Sequence, residues 1–141
     1  MMYQIVSERK LKKKVKIQKP EHIYSLIKQY ARAKQEQFLL ITVNSAHDVI
    51  SISIISMGTV NKTIVHPREI FVRAITDRAC GIIICHNHPS GLLYPSEEDI
   101  ELTQTVYQAG EIVGIRLIDH VIFTKEGYLS LKQQGSFPKD K

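Results

Sequence analysis

The stretch Cys85-His86-Asn87-His88-Pro89-Ser90-Gly91, followed by Pro95-Ser96-Glu97-Glu98-Asp99, decides how this chain is read. The apolar run Ala79 to Cys85 predicts a buried strand. Side chains at i and i+2 of an extended chain point the same way, so His86 and His88 face one point. Pro89, Ser90 and Gly91 then break the strand and turn the chain. A helix start follows at Pro95, with Ser96 as N-cap and Asp99 as the acid of a capping box. That puts the Asp99 carboxylate in the first helical turn, where the helix dipole favours an anion. Two neutral imidazoles and one carboxylate make a three-ligand set for a divalent cation, with zinc the best match. The fourth tetrahedral position is left to water, as in a catalytic centre.

The 141 residues suit one domain spanning 1–141, and 43% hydrophobic with 23% charged residues is an ordinary globular balance. No apolar run reaches membrane-spanning length, and the N-terminus lacks the order of a signal peptide. Cys80 and Cys85 are five residues apart on one predicted strand and so aim at opposite faces. A reducing, cytoplasmic setting is the simplest expectation. The net charge of +5 is unevenly spread: residues 1–19 carry +6 and the remainder −1. A basic arm can contact nucleic-acid phosphates. Equally, Leu11, Val15 and Ile17 share one parity, which suits a lysine-rich edge strand; such an edge also makes a homodimer conceivable.

In chain order, residues 3–18 read as one polar strand or two short ones. Pro20 and Glu21 open a helix with Ile23, Leu26, Ile27 and Tyr30 on its apolar face. Phe38 to Val43 is an apolar strand, Asn44 to Asp48 a turn, and Val49 to Ser56 an alternating strand with one buried face, so the two strands pair as a hairpin. Gly58 to Val65 is irregular. A second helix begins at His66-Pro67-Arg68-Glu69 and lines its inner face with Phe71, Ala74 and Ile75. After the histidine strand comes a helix from Ser96 to about Ala109, its end loosened by Gly110 and Gly114. Strands Ile115 to Thr124 and Tyr128 to Leu131 close the chain. The fold class is α/β (α+β), a mixed sheet flanked by helices.

The spacing His86-x-His88, seven residues, Ser96-x-x-Asp99 resembles the JAMM metal motif of MPN-domain metalloproteases. The likeness runs further. Gly58-Thr59-Val60-Asn61, His66-Pro67-Arg68-Glu69-Ile70-Phe71, the His86 and Ser96 blocks and Asp119-His120 together resemble the bacterial RadC family, in order, over about Pro20 to Leu131. The resemblance implies the JAB/MPN (cytidine-deaminase-like) fold and a metal site of His86, His88 and Asp99. Longer RadC proteins carry a helix-hairpin-helix module upstream; this chain is similar to the catalytic-type domain. In that pattern a glutamate at a strand start after a helix acts on the water. Glu36 has that context, although Gln37 stands where relatives show histidine; Glu69, in a helix start, is its rival.

The implied activity is that of a zinc-dependent hydrolase cutting a peptide or isopeptide bond in a protein or peptide substrate. Glu36 would move the proton and Ser96 would donate to the oxyanion, unless its hydroxyl is spent as the N-cap. Asp119-His120 reads either as an orienter of a metal ligand or as a structural pair. Cys85 belongs to the core, and His66 to the helix entry. Two other classes stand beside the hydrolase: a DNA-repair-associated accessory protein contacting DNA through the basic arm, and a non-catalytic metal-binding module.

Overall fold

The computed structural model describes residues 7–10, 14–57 and 65–138. The elements are β1 (Ser7–Lys10), α1 (Pro20–Ile27) continued by a 3₁₀ turn (Lys28–Arg32), β2 (Gln37–Val43), β3 (Val49–Met57), α2 (Pro67–Thr76), β4 (Gly81–Asn87), α3 (Glu97–Val113), β5 (Arg116–Phe123), β6 (Tyr128–Ser130) and α4 (Leu131–Gln134). The strands form one mixed sheet in the order β1-β3-β2-β4-β5-β6. Among the described strands only the β4–β5 pair is parallel, joined by the α3 crossover. Leu11, Lys12 and Lys13 of the basic arm, and the Gly58-Thr59-Val60-Asn61 block, lie outside the described residues.

Every residue of β2 and β4 is buried, because helices cover both faces of the central strands. On one face, Ile23 and Ile27 of α1 pack against Leu39, Ile41, Ile83, Cys85 and Phe123. On the other, Ile70 and Ala74 of α2 and Val106 of α3 pack against Phe38, Leu40, Ile82 and Ile84. Cys85 joins the first layer, and both cysteines are free thiols. Ser7–Lys10 lies at the sheet edge, antiparallel to β3, and accounts for part of the strand expected over residues 3–18.

Four expectations are corrected. Strand β3 is buried on both faces, since Ser51 and Ser53 are as inaccessible as Ile52. The Ser51 hydroxyl, with that of Thr42, turns to the Asp77 carboxylate at the end of α2. Ile75 is 59% exposed: the inner face of α2 centres on Ile70 and Ala74, and Ile75 falls about 100° round from Ala74. Helix α3 does not end at Ala109 but runs through Gly110 to Val113, capped by Gly114 at φ 79°. A Cβ on Gly110 would sit 2.2 Å from the Ile115 carbonyl oxygen, so that glycine serves a close approach of the next segment. Finally, Leu131 begins α4 and does not continue the last strand.

Candidate metal centre

Strand β4 carries the site at its C-terminal end, beside the start of α3 and the start of β2. The antiparallel register pairs Phe38 with His86, so Glu36, two residues before Phe38, reaches the same face. Asn87 fixes it there. Its amide oxygen accepts from the Gln37 backbone N–H and its Nδ2 donates to the Gln35 carbonyl at 3.0 Å, gripping the chain on both sides of Glu36.

His86 is the hub. Its Nε2 lies 3.2 Å from Glu36 Oε2 and its Nδ1 3.2 Å from Asp99 Oδ1. Both ring nitrogens are buried, yet neither makes an aligned hydrogen bond. Burial opposes a charge on His86, but Asp99 and Glu36 outweigh it and lift the imidazole to about 9. The Asp99 carboxylate is held ionised, well below the usual range: burial opposes the charge, and His86, His88 and the Ser96 N–H overcome it.

His88 is just past the end of β4, its ring edge-on to that of His86 with centroids 4.8 Å apart. Its Nδ1 lies 2.9 Å from the Leu92 carbonyl, which can only accept, so Nδ1 carries the proton. In the neutral ring that leaves the Nε2 lone pair 3.6 Å from Asp99 Oδ2. A proton on Nε2 or a cation held between the two satisfies this pair, and with Nδ1 already bonded it is Nε2 that is available to a metal.

Ser96 caps α3 as expected, accepting from the Asp99 N–H at 3.1 Å while the Ser96 N–H donates to Asp99 Oδ2 at 2.9 Å. As an acceptor in that cap, the Ser96 hydroxyl still has its own proton to give. Asp119 and His120 are not a side-chain pair. Asp119 accepts from Ser130 and from the Lys132 and His120 backbone N–H groups, and burial raises its pKa. His120 instead faces α3, where Thr103 Oγ1 donates to the Asp99 carbonyl at 2.6 Å and stands 2.7 Å from His120 Nδ1. With that hydroxyl proton committed, Nδ1 is the donor and the buried His120 Nε2 is left without a partner. Complete burial keeps the ring neutral, lowering it to about 3.

Among the described residues, two overlapping groups could hold a metal ion: Glu36, His86 and His88, and His86, Asp99 and His120, the donor atoms of each within 4.8 Å of one another. Neither group is the expected set of His86, His88 and Asp99, which is divided between them, His86 with His88 in one and His86 with Asp99 in the other. His120 and Asn87 are what sequence reading left open or missed. A histidine in an apolar strand and an amide between two histidines were their only signals.

A family model described as the RadC-like JAB domain matches residues 17–136. The chain belongs to the RadC-like JAB domain family. It is 46% identical over 126 residues to a UPF0758 protein of Methanospirillum hungatei, covering 88% of this chain and 56% of that protein. A UPF0758 protein of Clostridium acetobutylicum is 42% identical over 122 residues, 86% of this chain and 53% of its own length. This RadC-like chain thus spans about half the length of the curated relatives it matches. No described helix is long and apolar enough to cross a membrane.

Proposed function

We propose that this RadC-like domain is a zinc-dependent hydrolase of the JAMM type, acting on a peptide or isopeptide bond. The observation that carries this is the convergence of Glu36, His86, His88 and Asp99 around nitrogens that lack aligned partners. His86, His88 and Asp99 would hold the ion, and the Leu92 carbonyl on His88 Nδ1 keeps Nε2 free for it. Zinc bound there would acidify water and polarise a substrate carbonyl. Glu36, whose side chain is 32% exposed, faces both the site and solvent and is suited to take the proton of the attacking water and return it to the leaving amine. Ser96 supplies an O–H for the developing oxyanion.

The test is metal analysis of the full chain together with turnover of a fluorogenic peptide and isopeptide panel. About one zinc per chain is expected, lost in His86→Ala, while Glu36→Gln keeps its zinc and loses turnover. Protein with no zinc, or with zinc content indifferent to His86→Ala, overturns the reading.

A further inference from the structure

Two cavities, of about 540 and 610 Å³, share Arg32 and Lys125 and so form one trough. The first is lined by His88 with Arg32, Lys34, Lys125 and Glu126; the second continues past Lys28. The trough therefore runs from a proposed ligand of the metal centre along the 3₁₀ turn (Lys28–Arg32). It brings four cations together against one carboxylate. Lys28 rests over the Tyr24 ring at 5.9 Å. Arg32, Lys34 and Lys125 make no ion pair among the described residues, although other lysines of the chain find acids. Like charges gathered at a concave surface without counter-ions raise the local concentration of anions.

The geometry points to the trough as the docking site of an acidic polypeptide segment, which presents its neighbouring amide to the metal centre. A polypeptide is favoured over a nucleic-acid strand by two features. No Phe, Tyr or Trp ring lines the trough, the His88 imidazole being the one ring among its lining residues, and the Glu126 carboxylate sits among the cations, where it would repel a run of phosphates. The loop that seats His88 also exposes Leu92 and Tyr94, at 52% and 61%, apolar surface that suits a polypeptide's side chains. The reaction assigned to the segment rests on the hydrolase reading. The binding does not.

The test separates the two. Fluorescence anisotropy of the full chain, stripped of metal by chelation, is read with a labelled Glu-rich peptide, its Gln-for-Glu counterpart and an oligo(dT) of equal charge. The Glu-rich peptide is expected to bind about tenfold tighter than the neutral one, with the difference fading as salt rises. Arg32→Glu and Lys125→Glu should each remove most of that preference. Lys132→Glu, which lines neither cavity, should spare it, and Glu126→Gln should strengthen it. All four are solvent-facing changes, and unchanged melting temperatures confirm that they fold. Equal affinity for acidic and neutral peptides, tighter binding of oligo(dT), or indifference to Arg32→Glu and Lys125→Glu overturns the proposal. Because binding is read without metal, absent turnover in the zinc-loaded chain would sink the hydrolase reading and leave the docking result standing.

Discussion

Asn87 fixes Glu36 by holding the peptide groups on either side of it, bonding to the Gln37 N–H and the Gln35 carbonyl. The middle residue of His86-Asn87-His88 thus ties the end of β4 to the start of β2. Asn87→Ala should lower turnover at least tenfold while leaving zinc content near that of the unmodified chain, because the ligands stay and only Glu36 is set loose. It also strips the partner from a buried N–H, at a cost of about 1–3 kcal/mol in a denaturant melt.

The Thr103 hydroxyl bridges Asp99 and His120. Thr103→Val keeps the volume and removes both contacts, so a loss of about 1–3 kcal/mol is expected, with zinc affinity reduced because Asp99 is less firmly set. Thr103→Ser should restore most of both. Competition against a chromophoric chelator measures the affinity. Equal behaviour of the Val and Ser variants would show the bridge to be idle.

On the zinc-hydrolase proposal, removing the metal should soften the fold. Three of the donors that crowd together, His86, Asp99 and Glu36, leave mutual contacts that a cation would knit, so chelator-treated protein should melt lower than zinc-loaded protein. The difference should grow with free zinc and vanish in His86→Ala.

Asp77 offers a pH test away from the metal. Burial opposes its charge, but bonds from Ser51 and Thr42 and the Arg73 guanidinium outweigh burial and hold its pKa below the ordinary value of 3.8. A depressed folded-state pKa means stability that is present above 3.8 and lost as pH falls below it. Asp77→Asn should therefore destabilise the protein at neutral pH by about 1–3 kcal/mol and converge with the unmodified chain in strong acid.

Gly110→Ala meets the Ile115 carbonyl at 2.2 Å. Helix propensity alone would favour the alanine, yet the backbone has to shift, so a net loss of about 1–3 kcal/mol is expected. A gain in melting temperature would mean that α3 and the following turn can separate freely.

The part of the site legible in the sequence was the part built from local chain geometry. His86 and His88 follow from strand parity, and Ser96 with Asp99 from capping, both properties of short windows. Glu36 was found by family likeness, since its place comes from the pairing of Phe38 with His86, 48 residues apart in no pattern a window can read. For the same reason nothing in the sequence signals the grip of Asn87 on Gln35 and Gln37, and the partner of His120, Thr103, arrives from α3. The Ser51 hydroxyl reads as part of a solvent face because its partner, Asp77, arrives from another element. Gly110 looked like a helix breaker because the close approach it permits comes from β5's lead-in.

The β2–β4 register has one more consequence. Sliding β2 along β4 by a single residue would reverse the side on which its side chains emerge, sending Glu36 away from the histidines and Phe38 into the opposite layer. A misaligned sheet could still look folded to circular dichroism, but it would lack the carboxylate that faces His86. On the hydrolase proposal, metal uptake with full turnover would therefore report correct strand alignment.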